Sequence, residues 1–181
     1  NGGKHKYATQ KPLKKGKGWL YEGGIRVPLI ISWPRRIRNS FVSEQMTSSI
    51  DFLPTILNVT NSGLNDKSFY DGVDISQVFS DKSNLINRDE LYWHYPHYHS
   101  GSDMEPASAI RWKDYKLIQW HEATLLNQER QIELYNLKLD PGENNDLTQI
   151  EPEIAILMKN KLKNWIKQVD ASMPKVNRDN Y

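Results

Sequence analysis

A lysine between two glycines, in the run Gly16-Lys17-Gly18, is a candidate anion ligand near the start of the chain. Glycine allows the backbone to approach a ligand closely, and an ammonium is a point charge that suits phosphate or sulfate oxygens. The apolar run Ile25 to Trp33 follows soon after, and ligands of open α/β sheets collect at the ends of such strands. The residues alone leave two interpretations open, a lysine-rich loop in solvent or one wall of an anion site.

A second candidate group lies in the aromatic segment 93–99, which carries three histidines within six residues. Histidine is a common zinc ligand, but the chain has no cysteine, and the carboxylates Asp103 and Glu105 follow only downstream. Aromatic rings and imidazoles at the end of a strand also suit a sugar ring and its charged groups. We expect His94 and His97 to contact substrate without binding a metal, and packing inside the protein is the alternative.

Composition excludes several classes of function. The chain has 181 residues with 38% hydrophobic residues, 6 Trp and 9 Tyr, so global disorder is excluded. No run approaches the ~20 apolar residues of a membrane span. The net charge of +2 does not indicate a nucleic-acid partner, although six lysines and no acid fall within residues 1–18. Without cysteine there is no disulfide framework, no thiolate metal site and no cysteine nucleophile in this chain.

The elements that would position these residues change in character near Arg88. Before it, the run Ile25 to Trp33 predicts a strand buried on both faces. A helix should follow, because apolar residues recur at helical spacing from Ile50 to Leu57. Residues 1–87 are therefore predicted to form part of a parallel or mixed α/β sheet that needs further strands, and residues 88–181 a second subdomain.

The second half predicts an antiparallel sheet packed by one helix. Strand-like patterns cover residues 91–95, 108–112, 115–121 and 132–137. Lys113-Asp114 joins the middle two as a tight hairpin. Pro152 then begins a helix with a single apolar stripe, which indicates one buried face.

Several short motifs resemble, in the same order, the second half of a sulfatase of the formylglycine-dependent type. They are Asn1-Gly2-Gly3, residues 12–18 (PLKKGKG), 21–28 (YEGGIRVP), 32–34 (SWP), 50–57 (IDFLPTIL), 71–74 (DGVD), 109–111 with 115–118, and 133–137 with 140–143. Each motif is short, but together they cover nearly the whole chain.

The resemblance implies an α/β fold. Residues 1–87 would be the tail of an alkaline-phosphatase-like α/β core, and residues 88–181 a small antiparallel sheet packed by a C-terminal helix. It also implies hydrolysis of a sulfate ester with one Ca²⁺. Asn1 matches a calcium-binding Asn of the family, and Lys17 matches the lysine that contacts the sulfate group. Lys14 stands where relatives usually carry Arg, which puts a bidentate role there in doubt.

The resemblance further implies that these residues belong to a longer protein. The family's nucleophile is a hydrated formylglycine, made from the first residue of a Cys/Ser-x-Pro-x-Arg motif that this sequence lacks. We therefore expect a fragment that is inactive alone and works with an N-terminal sulfatase core on a sulfated carbohydrate, in a periplasmic or secreted enzyme. The alternatives are a phosphodiesterase or phosphonate hydrolase of the same superfamily and, if the chain is complete, a non-catalytic binding module.

Overall fold

The computed structural model describes residues 9–62, 70–81 and 83–176, which fall into two compact units. The first, here called the sheet unit, contains the described residues up to Pro28 and those from Glu90 onward. The second, here called the inserted unit, is Leu29–Asp89. The Lys17 segment therefore lies in the same unit as the C-terminal sheet, and the subdomain boundary between residues 87 and 88 stays a prediction.

The helices and strands follow one another in a simple order. The helices are α1 (Glu22–Ile25), α2 (Phe52–Thr60), α3 (His121–Leu125) and α4 (Pro152–Gln168). The strands are β1 (Glu90–Tyr95), β2 (Ala107–Trp112), β3 (Tyr115–Trp120) and β4 (Ile132–Asn136). The strands pair antiparallel in chain order, as one four-stranded sheet. Trp112 pairs with Tyr115 across the predicted hairpin, where Lys113 takes a positive φ of 53°. The prediction of a small antiparallel sheet is confirmed.

The two faces of this sheet bury different partners, because successive residues of a strand point to opposite sides. One face buries a cluster shared with α4: Ile110, Leu117, Leu134, Ala155, Met158 and Leu162. The opposite face buries a cluster shared with the segment that follows Lys17: Leu20, Tyr21, Ala107, Ala109, Ile118, Trp120 and Tyr135. The sheet thus fixes the Lys17 segment on the side away from α4.

Helix α4 confirms the predicted C-terminal helix. Pro152 lies in its first turn, where the missing backbone N–H costs no hydrogen bond. Trp165 stacks on Tyr92 of β1 with ring centroids 4.8 Å apart, so the helix also covers the edge strand. In the part of the chain that the structure describes, neither α4 nor any other helix is long and apolar enough to cross a membrane.

The inserted unit is organised around one buried carboxylate. Asp51 accepts hydrogen bonds from the backbone N–H groups of Ser48 and Val73, over 2.7 and 3.0 Å. It also receives both terminal nitrogens of Arg88 at 2.5 Å. Burial acts to raise the pKa of Asp51, but the hydrogen bonds from Arg88, Val73 and Ser48 outweigh it, and the pKa is lowered. Asp51 therefore ties the start of α2 to two distant points of its unit.

The strand expected over Ile25 to Trp33 is not formed. Ile25 ends α1, and residues 26–33 have no strand partner among the described residues. Ile30 is 90% exposed, although the pattern predicted burial on both faces. A strand needs hydrogen-bond partners on its neighbours, and the residues described here supply no parallel strand to pair with this run.

Candidate functional site

Lys17 lies at the tip of a tight turn whose backbone is held on both sides. The Trp19 N–H donates to the Gly16 carbonyl over 3.1 Å. Gly18 has a φ of +93°, and a Cβ at this position would lie 2.5 Å from Ser102 Oγ, so glycine is required. Lys17 is exposed, and its ammonium makes no hydrogen bond or ion pair with any residue that the structure describes. The turn presents a free positive charge on a tightly held backbone.

The segment around this turn folds closely on itself. The Gly23 N–H donates to the Lys14 carbonyl over 3.0 Å. A Cβ on Gly24 would lie 2.0 Å from the Trp19 carbonyl oxygen, so the α1 backbone can approach the turn only as glycine. The Gly-Gly pair therefore serves the packing of α1 against the Lys17 turn.

Three buried charges join this segment to the sheet. Lys116 of β3 is fully buried, and its Nζ lies 3.1 Å from Glu22 Oε1 and 2.9 Å from Glu143 Oε1. Glu143 Oε2 accepts a 2.6 Å hydrogen bond from the Glu22 backbone N–H. Burial raises the pKa of Glu143, despite the opposing charge of Lys116. Loss of one partner would leave a buried charge unpaired, at a cost of about 3–5 kcal/mol, so this cluster holds α1 firmly against β3.

The neighbouring lysines have partners inside the protein. Lys14 Nζ donates to the Glu143 carbonyl over 2.9 Å and to the Tyr135 hydroxyl over 3.1 Å, and it lies 4.4 Å from the Tyr21 ring centroid. Lys15 Nζ lies 4.3 Å from the Trp19 ring centroid. Of these three lysines in the described chain, Lys17 is therefore the one whose charge is available to a ligand.

The loop after β1 meets the Lys17 turn through His99 and Ser102. The Ser102 hydroxyl donates to the Gly18 carbonyl over 3.3 Å, and its Oγ lies 3.0 Å from His99 Nδ1. His97, predicted to contact substrate, is exposed, and its ring packs edge-on against Tyr95 with centroids 5.8 Å apart. The substrate role of His97 stays a prediction, whereas the loop bonds to the Lys17 turn through Ser102, which in turn lies within hydrogen-bond distance of His99.

His94 lies on the α4 side of the sheet and is engaged at both ring nitrogens. Its Nδ1 lies 2.6 Å from Ser108 Oγ, and its Nε2 donates to the Ser172 carbonyl over 2.8 Å. Ser108 Oγ also lies 2.8 Å from Nε2 of the buried His121. Burial, with a smaller effect of His94, lowers the pKa of His121 to about 4. The substrate role of His94 stays a prediction, and a direct bond to substrate would have to replace one of these internal bonds.

The predicted calcium ligand, Asn1, lies outside the described residues. Across residues 9–62, 70–81 and 83–176, no group of three or more His, Asp or Glu side chains is arranged to hold a metal ion. Calcium takes roughly six to eight oxygen ligands, and an Asn amide oxygen is of the right type. The described residues thus hold no metal site that is complete without Asn1.

Sequence reasoning missed Lys116, Glu143, His99 and Ser102. The sequence did contain a signal for Lys116, because it lies on the same buried face of β3 as Ile118 and Trp120. A charge at such a position needs a buried partner of opposite sign. The contact between Gly18 and Ser102 joins residues 84 positions apart, and no local pattern reports it.

Solved structures show the class of protein to which this fold belongs. The structure of Ps i-CgsB in complex with k-i-k-neocarrahexaose matches with a TM-score of 0.75 and 23% identity, over 91% of this chain and 34% of that one. The structure of BT4656 in complex with its substrate D-glucosamine-2-N,6-O-disulfate matches with a TM-score of 0.54 and 25% identity, over 68% of this chain and 24% of that one. The class is that of the sulfatases, with their alkaline-phosphatase-like mixed α/β fold.

The sequence comparisons then give the family. The family model described as N-sulphoglucosamine sulphohydrolase, C-terminal, matches residues 15–171, and the chain belongs to this sulfatase family. A sulfatase of Formosa agariphila is 34% identical over 180 residues, or 92% of this chain and 31% of the relative. An N-acetylglucosamine-6-O-sulfatase of Bacteroides thetaiotaomicron is 30% identical over 133 residues, and arylsulfatase A of Homo sapiens is 30% identical over 150. These alignments cover 72% and 75% of this chain, but only 23% and 28% of the relatives. The chain thus spans about a third or less of the length of these relatives.

Proposed function

We propose that this chain is the C-terminal part of a sulfatase that hydrolyses a sulfate ester on a carbohydrate, and that Lys17 binds the sulfate group. The observation that carries the proposal is the free, exposed ammonium of Lys17 on a turn locked by Gly18 and the sheet. Membership of the sulfatase family supports the reaction. The internal bonds of Lys14 and Lys116 support the choice of lysine.

A positive charge such as the Lys17 ammonium would favour the hydrolysis of a sulfate ester. When a sulfate ester is hydrolysed, the bond between sulfur and the leaving oxygen breaks, and negative charge grows on that oxygen and on the sulfuryl oxygens. A cation held in advance near these atoms stabilises the transition state without reorganising during the reaction. The buried cluster of Glu22, Lys116 and Glu143 supplies that preorganisation, because it fixes the segment from which Lys17 projects.

Two further groups belong to the proposal because the family implies them. A formylglycine hydrate supplies the nucleophile in such enzymes, and Ca²⁺ supplies a fixed double charge. We assign Asn1 as one oxygen ligand of the ion. Asn1→Ala in the full-length enzyme should weaken Ca²⁺ binding, measured by calorimetric titration of the metal-free protein. An unchanged calcium affinity would contradict the assignment of Asn1.

The carbohydrate substrate is proposed from the relatives. One relative is named for N-acetylglucosamine 6-sulfate, and a solved structure holds a glucosamine disulfate. Sulfated polysaccharides occur outside the cytoplasm, so we place the enzyme in the periplasm or among secreted proteins. Fractionation of cells that express the natural gene, with an antibody against this chain, tests the location.

The central experiment removes the charge of Lys17. Lys17→Ala in the full-length enzyme should lower kcat/KM for 4-nitrophenyl sulfate by about 10²-fold, the scale for loss of one charge-stabilising group. The fold should survive, since Lys17 is exposed and its side chain makes no hydrogen bond or ion pair with a described residue. Lys11→Ala is the matched control, because it removes an equal charge from an exposed position of the same basic segment.

Two outcomes would contradict the proposal. Near-normal activity of Lys17→Ala would show that Lys17 does not bind the sulfate group. Faster hydrolysis of a phosphodiester or phosphonate than of any sulfate ester would show that the enzyme is a phosphodiesterase or phosphonate hydrolase of the same superfamily and not a sulfatase. The 181-residue chain alone should hydrolyse no sulfate ester above background, because its sequence holds no formylglycine motif.

A further inference from the structure

We propose that His99 is a specificity residue whose Nε2 accepts a hydrogen bond from a free hydroxyl of the sugar that carries the sulfate group. This inference rests on the proposed function, because it needs a sulfated sugar bound at Lys17. It assigns to His99 a substrate contact of the kind that the sequence predicts for His94 and His97.

The hydrogen bonds around Ser102 determine which nitrogen of His99 is free. The Ser102 hydroxyl has one proton, and that proton is donated to the Gly18 carbonyl over 3.3 Å. We assign the 3.0 Å bond between Ser102 Oγ and His99 Nδ1 with the histidine as donor, since the Ser102 proton is directed at Gly18. In this tautomer Nε2 keeps a lone pair. In the described structure no protein group bonds to that nitrogen.

The backbone holds this imidazole in place. The His99 N–H donates to the Met104 carbonyl over 2.9 Å, so the loop closes on itself. The His99 carbonyl accepts from the N–H groups of Ser102 and Asp103, over 3.0 and 2.9 Å. His99 and Ser102 therefore move as one unit with the loop, and an acceptor on a fixed loop is suited to recognition.

The position of this loop places His99 beside the proposed sulfate site. A Cβ added to Gly18 would lie 3.3 Å from His99 Cε1 and 2.5 Å from Ser102 Oγ, so the imidazole is in near contact with the residue that follows Lys17. The loop that holds His99 is also bonded to the Gly18 carbonyl through Ser102. The His99 ring therefore lies next to the backbone turn that carries the Lys17 cation.

These two groups match the two kinds of oxygen on a partly sulfated sugar. A sulfate group has only acceptor oxygens and suits the ammonium of Lys17. A hydroxyl can donate, and suits the lone pair of His99 Nε2. A second sulfate in place of that hydroxyl has no proton to donate, so His99 disfavours it. The pair therefore selects a sugar that carries a free hydroxyl close to the sulfate that is removed.

The test compares a sugar substrate with one that has no hydroxyl. The full-length enzyme is assayed on N-acetylglucosamine 6-sulfate and on 4-nitrophenyl sulfate, and the readout is the ratio of the two kcat/KM values. His99→Ala should lower this ratio by about tenfold, the scale of one lost hydrogen bond. Ser100→Ala, an exposed neighbour whose side chain has no partner in the described structure, should change the ratio less than twofold.

Two further variants separate substrate recognition from loop packing. The side-chain amide of His99→Asn can still donate a hydrogen bond to Ser102, but it is too short to reach the position of Nε2. His99→Asn should therefore lower the ratio of the two kcat/KM values as much as His99→Ala does. His99→Gln can place its amide oxygen where Nε2 lies, and should recover part of the ratio. A ratio that stays at the wild-type value in His99→Ala, or is fully retained in His99→Asn, would overturn the inference.

The same assay distinguishes failure of the inference from failure of the proposed function. If the wild-type enzyme hydrolyses neither substrate, the proposed sulfatase activity is wrong and the inference falls with it. If it hydrolyses 4-nitrophenyl sulfate but not the monosulfated sugar, or prefers N-acetylglucosamine in which a second sulfate replaces the 4-hydroxyl beside the 6-sulfate, the sulfatase assignment stands and the role of His99 is overturned.

Discussion

Acid should destabilise the sheet unit through the buried His121. Its pKa is lowered from 6.5 to about 4, chiefly by burial, and its side chain bonds to Ser108. In the unfolded chain His121 binds a proton below pH 6.5, whereas in the folded protein it does so only near pH 4. Its contribution to stability is therefore fully present above pH 6.5 and is lost as the pH falls from 6.5 to about 4. At pH 4.5 these two values correspond to a loss of roughly 2 to 3 kcal/mol of unfolding free energy.

The variant His121→Gln isolates this contribution. Its amide can still donate to Ser108, but it takes up no proton in this pH range. Urea unfolding of the full-length protein, followed by tryptophan fluorescence at pH 7 and 4.5, gives the acid-induced loss for each protein. Trp120 directly precedes His121, is fully buried and contributes to the fluorescence change on unfolding. The wild type should lose roughly 2 to 3 kcal/mol more than the variant. Equal losses in the two proteins would refute the reasoning.

Three further predictions concern the backbone turn and the buried charges. Gly18→Ala should lower kcat/KM for 4-nitrophenyl sulfate about tenfold or more while the circular dichroism spectrum stays unchanged, because a Cβ would collide with Ser102 and displace the Lys17 turn. Lys116→Met should cost about 3–5 kcal/mol in urea unfolding, because it leaves two buried carboxylates without their cation, and a loss below 1 kcal/mol would contradict this. Asp51 has a lowered pKa, so its ion pair with Arg88 stabilises the protein above the ordinary Asp pKa of 3.8 and is lost as the pH falls through the lower, folded value. Asp51→Asn should therefore be less stable at pH 7 and show a smaller loss in strong acid.

Local patterns were enough to predict the sheet and its helix. The alternation in β2 and β3, the two-residue turn at Lys113 and the apolar stripe after Pro152 each report on neighbours in the sequence. The run from Ile25 to Trp33 has an equally clear pattern, yet it forms no strand in this structure. A strand requires neighbouring strands as hydrogen-bond partners. The hydropathy pattern of a segment predicts which of its side chains can be buried, but it does not show whether a neighbouring strand is present to pair with it.

Of the candidate site, the sequence indicates only Lys17. Its flanking glycines are adjacent in sequence, and the resemblance to sulfatases implies its role, which stays a prediction. The groups that hold it, Lys116 and Glu143, come from distant segments, and the pairing of Glu22 with Lys116 spans 94 positions. For His94 the sequence predicts a substrate contact, which stays a prediction, but it gives no sign of the internal hydrogen bonds at both ring nitrogens. Long-range pairing of charges leaves no local trace in a single sequence.

The same long-range pairing sets an order of events on the ribosome. Glu22 lies before the inserted unit and Lys116 after it, 94 residues later in the chain. At a synthesis rate of about 5–20 residues per second, Lys116 is made roughly 5 to 20 seconds after Glu22. During that interval Glu22 lacks its buried partner Lys116, and the strands on which the Lys17 segment packs are not complete. The proposed sulfate-binding turn therefore gains its buried ion pairs only after β3 has been made. A nascent chain that ends before Lys116 carries Lys17 without the pairs that hold its segment in place.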